Sequence, residues 1–555
     1  MAFSSKFYRI VFFCVLAFYC LFFARFGFEN WDTGFVTSQS WRVANGEAAF
    51  RDFLSVRPPV TAYFHGLIMS VLPDYAQVYT TRVLGYCLFA LQVFFVVDGL
   101  DRLFRLRKYK IDKWGAMLFA FVMATGAIYP DPWFTVDGIF FASAAFFVLT
   151  LSRRPKWLSF AITALLCVLS AGTKQSFYFV PIFFTIWIFV CFGWKKALVF
   201  ASFSGIFTTI FLSIFISASS LSDIIFQLGG TGNSHDFIDL GLLAYLNVFR
   251  AKWVWLGLFA LSFGFAFVNS GNRLPSGVSV LKWFALATFL SALAAIPIFG
   301  FPTSATVLLV AVKIAFWRKT RFSRFRIARY LPIVVLVGIA WCASLSKGFP
   351  FPVLFCHALA LCFFILIYDD LGDYRIKRLY LFVSVPLCVY LFIGNFDRYR
   401  EQEFLHLDRE LGSVSPKLAF VVSSESAFGK LSELKQLREK YTGKYVVAPS
   451  LPQAYYLFND RNPLPADWLT SFELKNDCAP YLSATALTAK YVFLEKSFVK
   501  GETYLNPKDD KDDFSQYANY ILKHMKPVEK ARYFWVYDAS ELTSTLRKYP
   551  INTIK

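Results

Sequence analysis

From residue 8 to about residue 394, long apolar runs alternate with short polar, mostly basic segments. A helix needs about 20 apolar residues to cross a bilayer. The runs predict spans near 8–27, 83–100, 114–130, 135–151, 157–173, 175–193, 197–217, 253–268, 283–299, 303–316, 330–346, 350–368 and 379–394, about thirteen in all. The first run follows MAFSSKFYRI and is too long for a signal-peptide core, with no small-residue cleavage site after it. It reads as a retained helix whose start Lys6 and Arg9 hold in the cytoplasm.

Basic residues orient this array. With the N-terminus inside, the inner segments carry 24 Lys or Arg and the longer outer loops carry 8, as the positive-inside rule requires. An odd number of spans then puts residues 396–555 outside. That tail is polar and mixed in charge. KLAFVVSS, KYVVAPS and KYVFLEKS read as short strands, and SELKQLREKY and FSQYANYILKHM as helices. The expected architecture is a mostly α, polytopic membrane protein. Residues 1–395 form the membrane domain, and residues 396–555 a small α/β soluble domain on the outer face.

The first outer loop, 28–82, is long for a connector, and loops of that length often carry function. Its apolar stretch from Val60 to Leu72 is too short to span and predicts an interfacial helix.

Composition fits this picture. The chain is 57% hydrophobic and 17% charged, against about 25% charged in soluble domains. The net charge of +20 sits in loop clusters rather than a patch, which argues against a nucleic-acid partner. Nine of the ten cysteines lie in apolar segments, only Cys478 is in a polar one, and no metal-ligand spacing occurs.

Few ionisable residues fall in mid-span; His357 is the main one. Polar groups instead gather at the outer ends: Asp32, Arg42, Asp52, Arg57, Asp131, Asp137, Lys174 and Gln175. That distribution favours an interfacial enzyme over a pump, whose sites lie at the midplane. A carboxylate there can deprotonate a hydroxyl, and cations can steady a phosphate leaving group. Asp32 also reads as a helix N-cap, Arg57 as a snorkelling arginine, and Lys174 as an end-of-helix charge reaching headgroups. Asp131, in YPDPWF, reads as a turn residue. His65 and His235 are lone histidines, and Gly229-Gly230-Thr231-Gly232 lacks the context of a nucleotide loop. The basic run 317–329 reads as an inner-face anchor.

The order Asp32-Thr33-Gly34, Arg42 to Gly46, Phe50-Arg51-Asp52-Phe53 and Arg57-Pro58-Pro59 resembles the first outer loop of GT-C glycosyltransferases. Among them it is similar to the bacterial Rgt-like enzymes, the lipid A aminoarabinose transferases and the protein O-mannosyltransferases. Gly172-Thr173-Lys174-Gln175 is similar to a Lys-Gln motif of the bacterial members, and Arg461-Asn462-Pro463 with Asp467-Trp468 to their soluble domains. Two positions depart from the pattern. Thr33 stands where many members have a second acid, and Arg57 where many have Lys.

The resemblance implies an inverting membrane glycosyltransferase that moves a sugar from a polyprenyl-phosphate donor to a lipid, glycan or protein hydroxyl at the outer face of the inner membrane. It implies Asp32 and Asp137 as catalytic acids, and Arg57 and Lys174 as donor phosphate ligands. Arg42, Asp52 and Gln175 would act as acceptor or supporting residues, and a divalent metal is a possible cofactor that the sequence does not settle. A transporter or flippase of lipid-linked glycans, or a glycan ligase or polymerase, are the other readings.

Overall fold

A computed structural model describes residues 4–29, 32–127, 131–229, 252–271, 324–345, 404–471, 473–496 and 515–549, with shorter stretches within 274–288, 355–365 and 381–394. The expected spans 283–299, 303–316 and 350–368, the basic run 317–329, and the glycine-rich loop with His235 lie wholly or mostly outside the described residues.

The chain is mostly helical. Its first half runs α1 (Ser5–Leu21), α2 (Asp32–Ala44), α3 (Val60–Val71), α4 (Gln77–Phe104), α5 (Lys113–Ala127), α6 (Phe134–Thr150), α7 (Trp157–Ala171), α8 (Val180–Phe192), α9 (Trp194–Ile216) and α10 (Leu221–Leu228). Two further helices, α11 (Lys252–Asn269) and α12 (Arg324–Ser344), follow. Among the described residues, Ser5–Arg25, Gln77–Phe104, Gln175–Phe192 and Trp194–Ile216 are long and apolar enough to cross a membrane. Shorter apolar helices stand at Phe134–Thr150, Trp157–Ala171, Trp253–Val268, Ala328–Ser344 and Ser384–Gly394. One aromatic-rich core joins α1, α4, α5, α6, α8 and α12 through residues such as Tyr19, Phe89, Phe121, Phe146 and Ile339. His357 is buried beside Phe355.

The predicted interfacial helix is α3. Its buried stripe, Thr61, Ala62, His65, Gly66 and Met69, faces the protein, while Leu67 and Val71 are exposed. A Cβ at Gly66 would lie 2.9 Å from the Ser40 carbonyl and from Val43, so glycine lets α2 and α3 pack backbone to backbone.

The C-terminal residues form a different structure. A short pair, β1 (Arg409–Glu410) with β2 (Val422–Ser423), precedes a sheet of β3 (Tyr445–Ala448), β4 (Tyr491–Glu495), β5 (Glu529–Lys530) and β6 (Phe534–Asp538). The strand order is β3-β4-β6-β5, parallel between β3 and β4 and antiparallel elsewhere. Helices α13 (Glu425–Lys440), α14 (Ala454–Phe458), α15 (Ala479–Thr488), α16 (Gln516–His524) and α17 (Leu542–Lys548) accompany it. Side chains alternate across a strand. Tyr445, Val447, Phe493 and Val536 therefore pack on one side with α13, and Val446, Val492, Leu494 and Tyr537 on the other with α16. The first of these cores also takes in Phe28 and Met69 from the first loop, so the sheet is built onto that loop.

Candidate functional site

Helix α2 carries the site on one stripe. Residues 32, 35, 38 or 39, and 42 share a helix face, and here they are Asp32, Phe35, Ser38 and Arg42. A C-terminal segment, 467–475, docks along that stripe. Asp467 accepts from Ser38 Oγ at 2.7 Å and from Arg42 Nε at 2.9 Å. Trp468 stacks on Phe35 at 4.6 Å between ring centroids. Glu473 meets Arg57 at 3.1 Å, and Lys475 reaches the Phe226 carbonyl.

Asp32 opens the helix but does not cap it. The backbone N–H groups of Asp32 and Thr33 donate to the Glu29 carboxylate at 3.2 and 2.8 Å. The N-cap reading of Asp32 therefore gives way to Glu29, which satisfies the free amides of the first turn. Asp32 keeps an exposed edge, but its carboxylate is crowded by surrounding protein and charge. Burial raises its pKa to about 7, with Glu29 and Glu473 pushing the same way and Arg57 and Lys174 opposing.

Arg57 is not a snorkelling side chain. Its guanidinium lies over the Phe35 and Phe134 rings, 5.4 and 5.1 Å from their centroids, and one Nη holds buried Glu473. Its other N–H groups have no acceptor among the described residues, so they remain available to a ligand. The preceding turn is pinned by Gln175, whose Nε2 donates to the Val56 carbonyl at 2.7 Å.

Lys174 follows α7 in a loop that close packing aims at the same place. A Cβ on Gly172 would sit 2.4 Å from Val60 Cγ2, and one on Gly138 would sit 2.5 Å from Phe177 and 2.7 Å from Thr173 Oγ1. Any side chain at either position would push the loop away. Burial lowers the Lys174 pKa to about 7, Arg57 adds to that, and Asp32 counters it.

Asp32, Arg57 and Lys174 therefore share one electrostatic cluster with Glu29 and Glu473. Asp137, Arg42 and Asp52 lie outside it. Asp137 is buried on α6 and pairs with His65 Nε2 at 3.0 Å, so His65 is not a lone histidine. Arg42 is buried and bound to Asp467, Glu47 and the Leu464 carbonyl. Asp52 pairs with Arg51 and accepts from the Ala48 amide, which lowers its pKa. Both line a cavity of about 400 Å³ shared with Trp41, Glu47 and Arg461. Asp131 pairs with Arg82 at 3.4 Å. Among the described residues, no group of three His, Cys, Asp or Glu side chains is arranged to hold a metal ion.

Sequence reading did not single out Glu29, Glu473 or the His65–Asp137 pair. Glu29 had a local signal, an acid three residues before a helix start. Glu473 lies more than 400 residues from Arg57 in sequence and had none.

The fold and its apolar helices define a multi-pass membrane protein. By sequence the chain matches no family model and no curated protein. In overall arrangement it is similar to the crystal structure of ArnT from Cupriavidus metallidurans bound to undecaprenyl phosphate, at 11% identity and a TM-score of 0.44, over 97% of this chain and 99% of that one.

Proposed function

We propose that the protein is an inverting glycosyltransferase, with about thirteen spans, of the GT-C kind. It moves a sugar from a polyprenyl phosphate to an acceptor hydroxyl at the outer face of the inner membrane. The carrying observation is the cluster itself: one carboxylate with a near-neutral pKa beside two cations, at the head of a helix outside the spans. A general base works best with a pKa near the working pH, and burial gives Asp32 that property.

In this mechanism the Asp32 carboxylate takes the proton from the acceptor hydroxyl. The oxygen's electron pair forms a bond to the anomeric carbon from the side opposite the phosphate. The bond from that carbon to the phosphate oxygen breaks, and its electrons stay on the phosphate. A singly charged diester thus becomes a more negative monoester. Arg57, through its unengaged N–H groups, and Lys174 stabilise that growing charge. Glu29 and Gln175 hold the two backbone segments that carry Asp32 and Arg57. Arg42 supports the site by docking the C-terminal sheet, and Asp52 shapes the loop beside the 400 Å³ cavity, a place for part of the acceptor. Asp137, enclosed with His65, ties α6, which begins at Phe134, to α3 rather than touching substrate. Residues 396–555 would stand outside the membrane as a unit.

Purified protein tests this. With a polyprenyl-phosphate sugar and acceptor, the wild type should release polyprenyl monophosphate and invert the anomeric configuration. A diphosphate product would instead favour the ligase or polymerase reading.

A further inference from the structure

The acids in the cluster outnumber the bases. Glu29, Asp32 and Glu473 face Arg57 and Lys174, before any phosphate arrives. A phosphate adds further negative charge to a poorly hydrated recess, where like charges repel strongly. One carboxylate must withdraw or become neutral for the phosphate to bind well.

Geometry selects Glu473. Its side chain is 3% exposed, whereas that of Arg57 is 22% exposed. It takes a single Nη of Arg57, and the remaining N–H groups of that guanidinium have no acceptor among the described residues. It also shares its surroundings with a like charge, Asp467, and with Asp32. Burial raises its pKa, with Arg57 opposing, so release of Arg57 pushes it further up.

We infer that Glu473 is a positioning residue that acts as the site's own anion: it holds Arg57 over Phe35 and Phe134 and yields the guanidinium to the donor phosphate. The exchange is stepwise. The phosphate first engages the remaining N–H groups of Arg57, and the Glu473 bond is then given up.

This inference rests on the proposed transferase reading, and binding measurements separate the two. The full chain in detergent is titrated with undecaprenyl phosphate for the wild type, Glu473→Gln, Arg57→Ala and the double variant. Glu473→Gln should bind about 10-fold tighter or more, the scale of one charge-assisted hydrogen bond. In the Arg57→Ala background the same change should shift affinity less than about 3-fold, as expected of coupled residues. Weaker binding by Glu473→Gln, or an undiminished gain without Arg57, would overturn the inference. Glu473→Asp keeps the charge and shortens the reach, so it too should bind more tightly than wild type; weaker binding there overturns the idea even if the Gln variant does not fold. If neither wild type nor any variant binds the lipid phosphate, the transferase reading itself falls.

Discussion

Glu29 caps the helix that Asp32 begins, accepting the Asp32 and Thr33 amides at 3.2 and 2.8 Å. An aspartate at a helix start is ordinarily its own cap. Here a neighbour three residues away takes that task, and the Asp32 carboxylate is left facing Arg57 and Lys174.

That arrangement predicts a bell-shaped pH profile. Asp32 must be a carboxylate, so activity rises as pH climbs through about 7. Lys174 must be an ammonium, so activity falls as pH passes above about 7. The rate against pH should peak near neutrality, and Lys174→Arg should move the alkaline limb upward, because guanidinium keeps its charge. Stability follows the opposite sign for Asp32. A carboxyl whose pKa is raised by folding stabilises below its unfolded value, and that contribution is lost as pH rises through about 7. Asp32→Asn should therefore melt at a higher temperature than wild type at pH 8.

Gly172→Ala should disable the enzyme without touching a polar group. The new Cβ would lie 2.4 Å from Val60 Cγ2, and relief of such overpacking costs about 1–3 kcal/mol. The Lys174 loop is what must move. Donor KM should rise more than 10-fold with the protein still folded by thermal melt.

Asp467→Ala should loosen the C-terminal sheet. It strips buried Arg42 of one of its two carboxylates and Ser38 of its acceptor, and losing a hydrogen bond to a buried charged group costs about 1.5–3 kcal/mol. Limited proteolysis should then cut within residues 404–549 faster than in wild type.

Asp137 and His65 should behave as a structural pair. Asp137→Ala leaves His65 buried and unpaired and should lower stability by about 2–4 kcal/mol. Asp137→Asn retains a hydrogen bond to the ring and should keep turnover within about 10-fold of wild type. A loss of turnover well beyond 10-fold in folded Asp137→Asn would make Asp137 a catalytic residue.

What the sequence discloses here depends on distance along the chain. Long apolar runs mark the apolar helices, and short apolar runs bounded by polar residues mark β3 and β4 in KYVVAPS and KYVFLEKS. Asp32, Arg57 and Lys174 stand out because each interrupts an apolar setting at the outer end of a run. The partners that define their chemistry do not. Glu473 reaches Arg57, and Asp467 reaches Arg42, across more than 400 residues. His65 finds Asp137 across 72. No periodicity or motif encodes such pairs; they follow from the C-terminal sheet being built on the first loop, where Phe28 and Met69 join its core.

The most direct test is a structure of the protein with polyprenyl phosphate bound. Phosphate oxygens within hydrogen-bonding distance of both Arg57 and Lys174, with the Asp32 carboxylate set apart from them across the space the sugar would fill, is the predicted result. A phosphate bound elsewhere, with the Arg57–Glu473 pair intact and Lys174 turned away, would contradict the account.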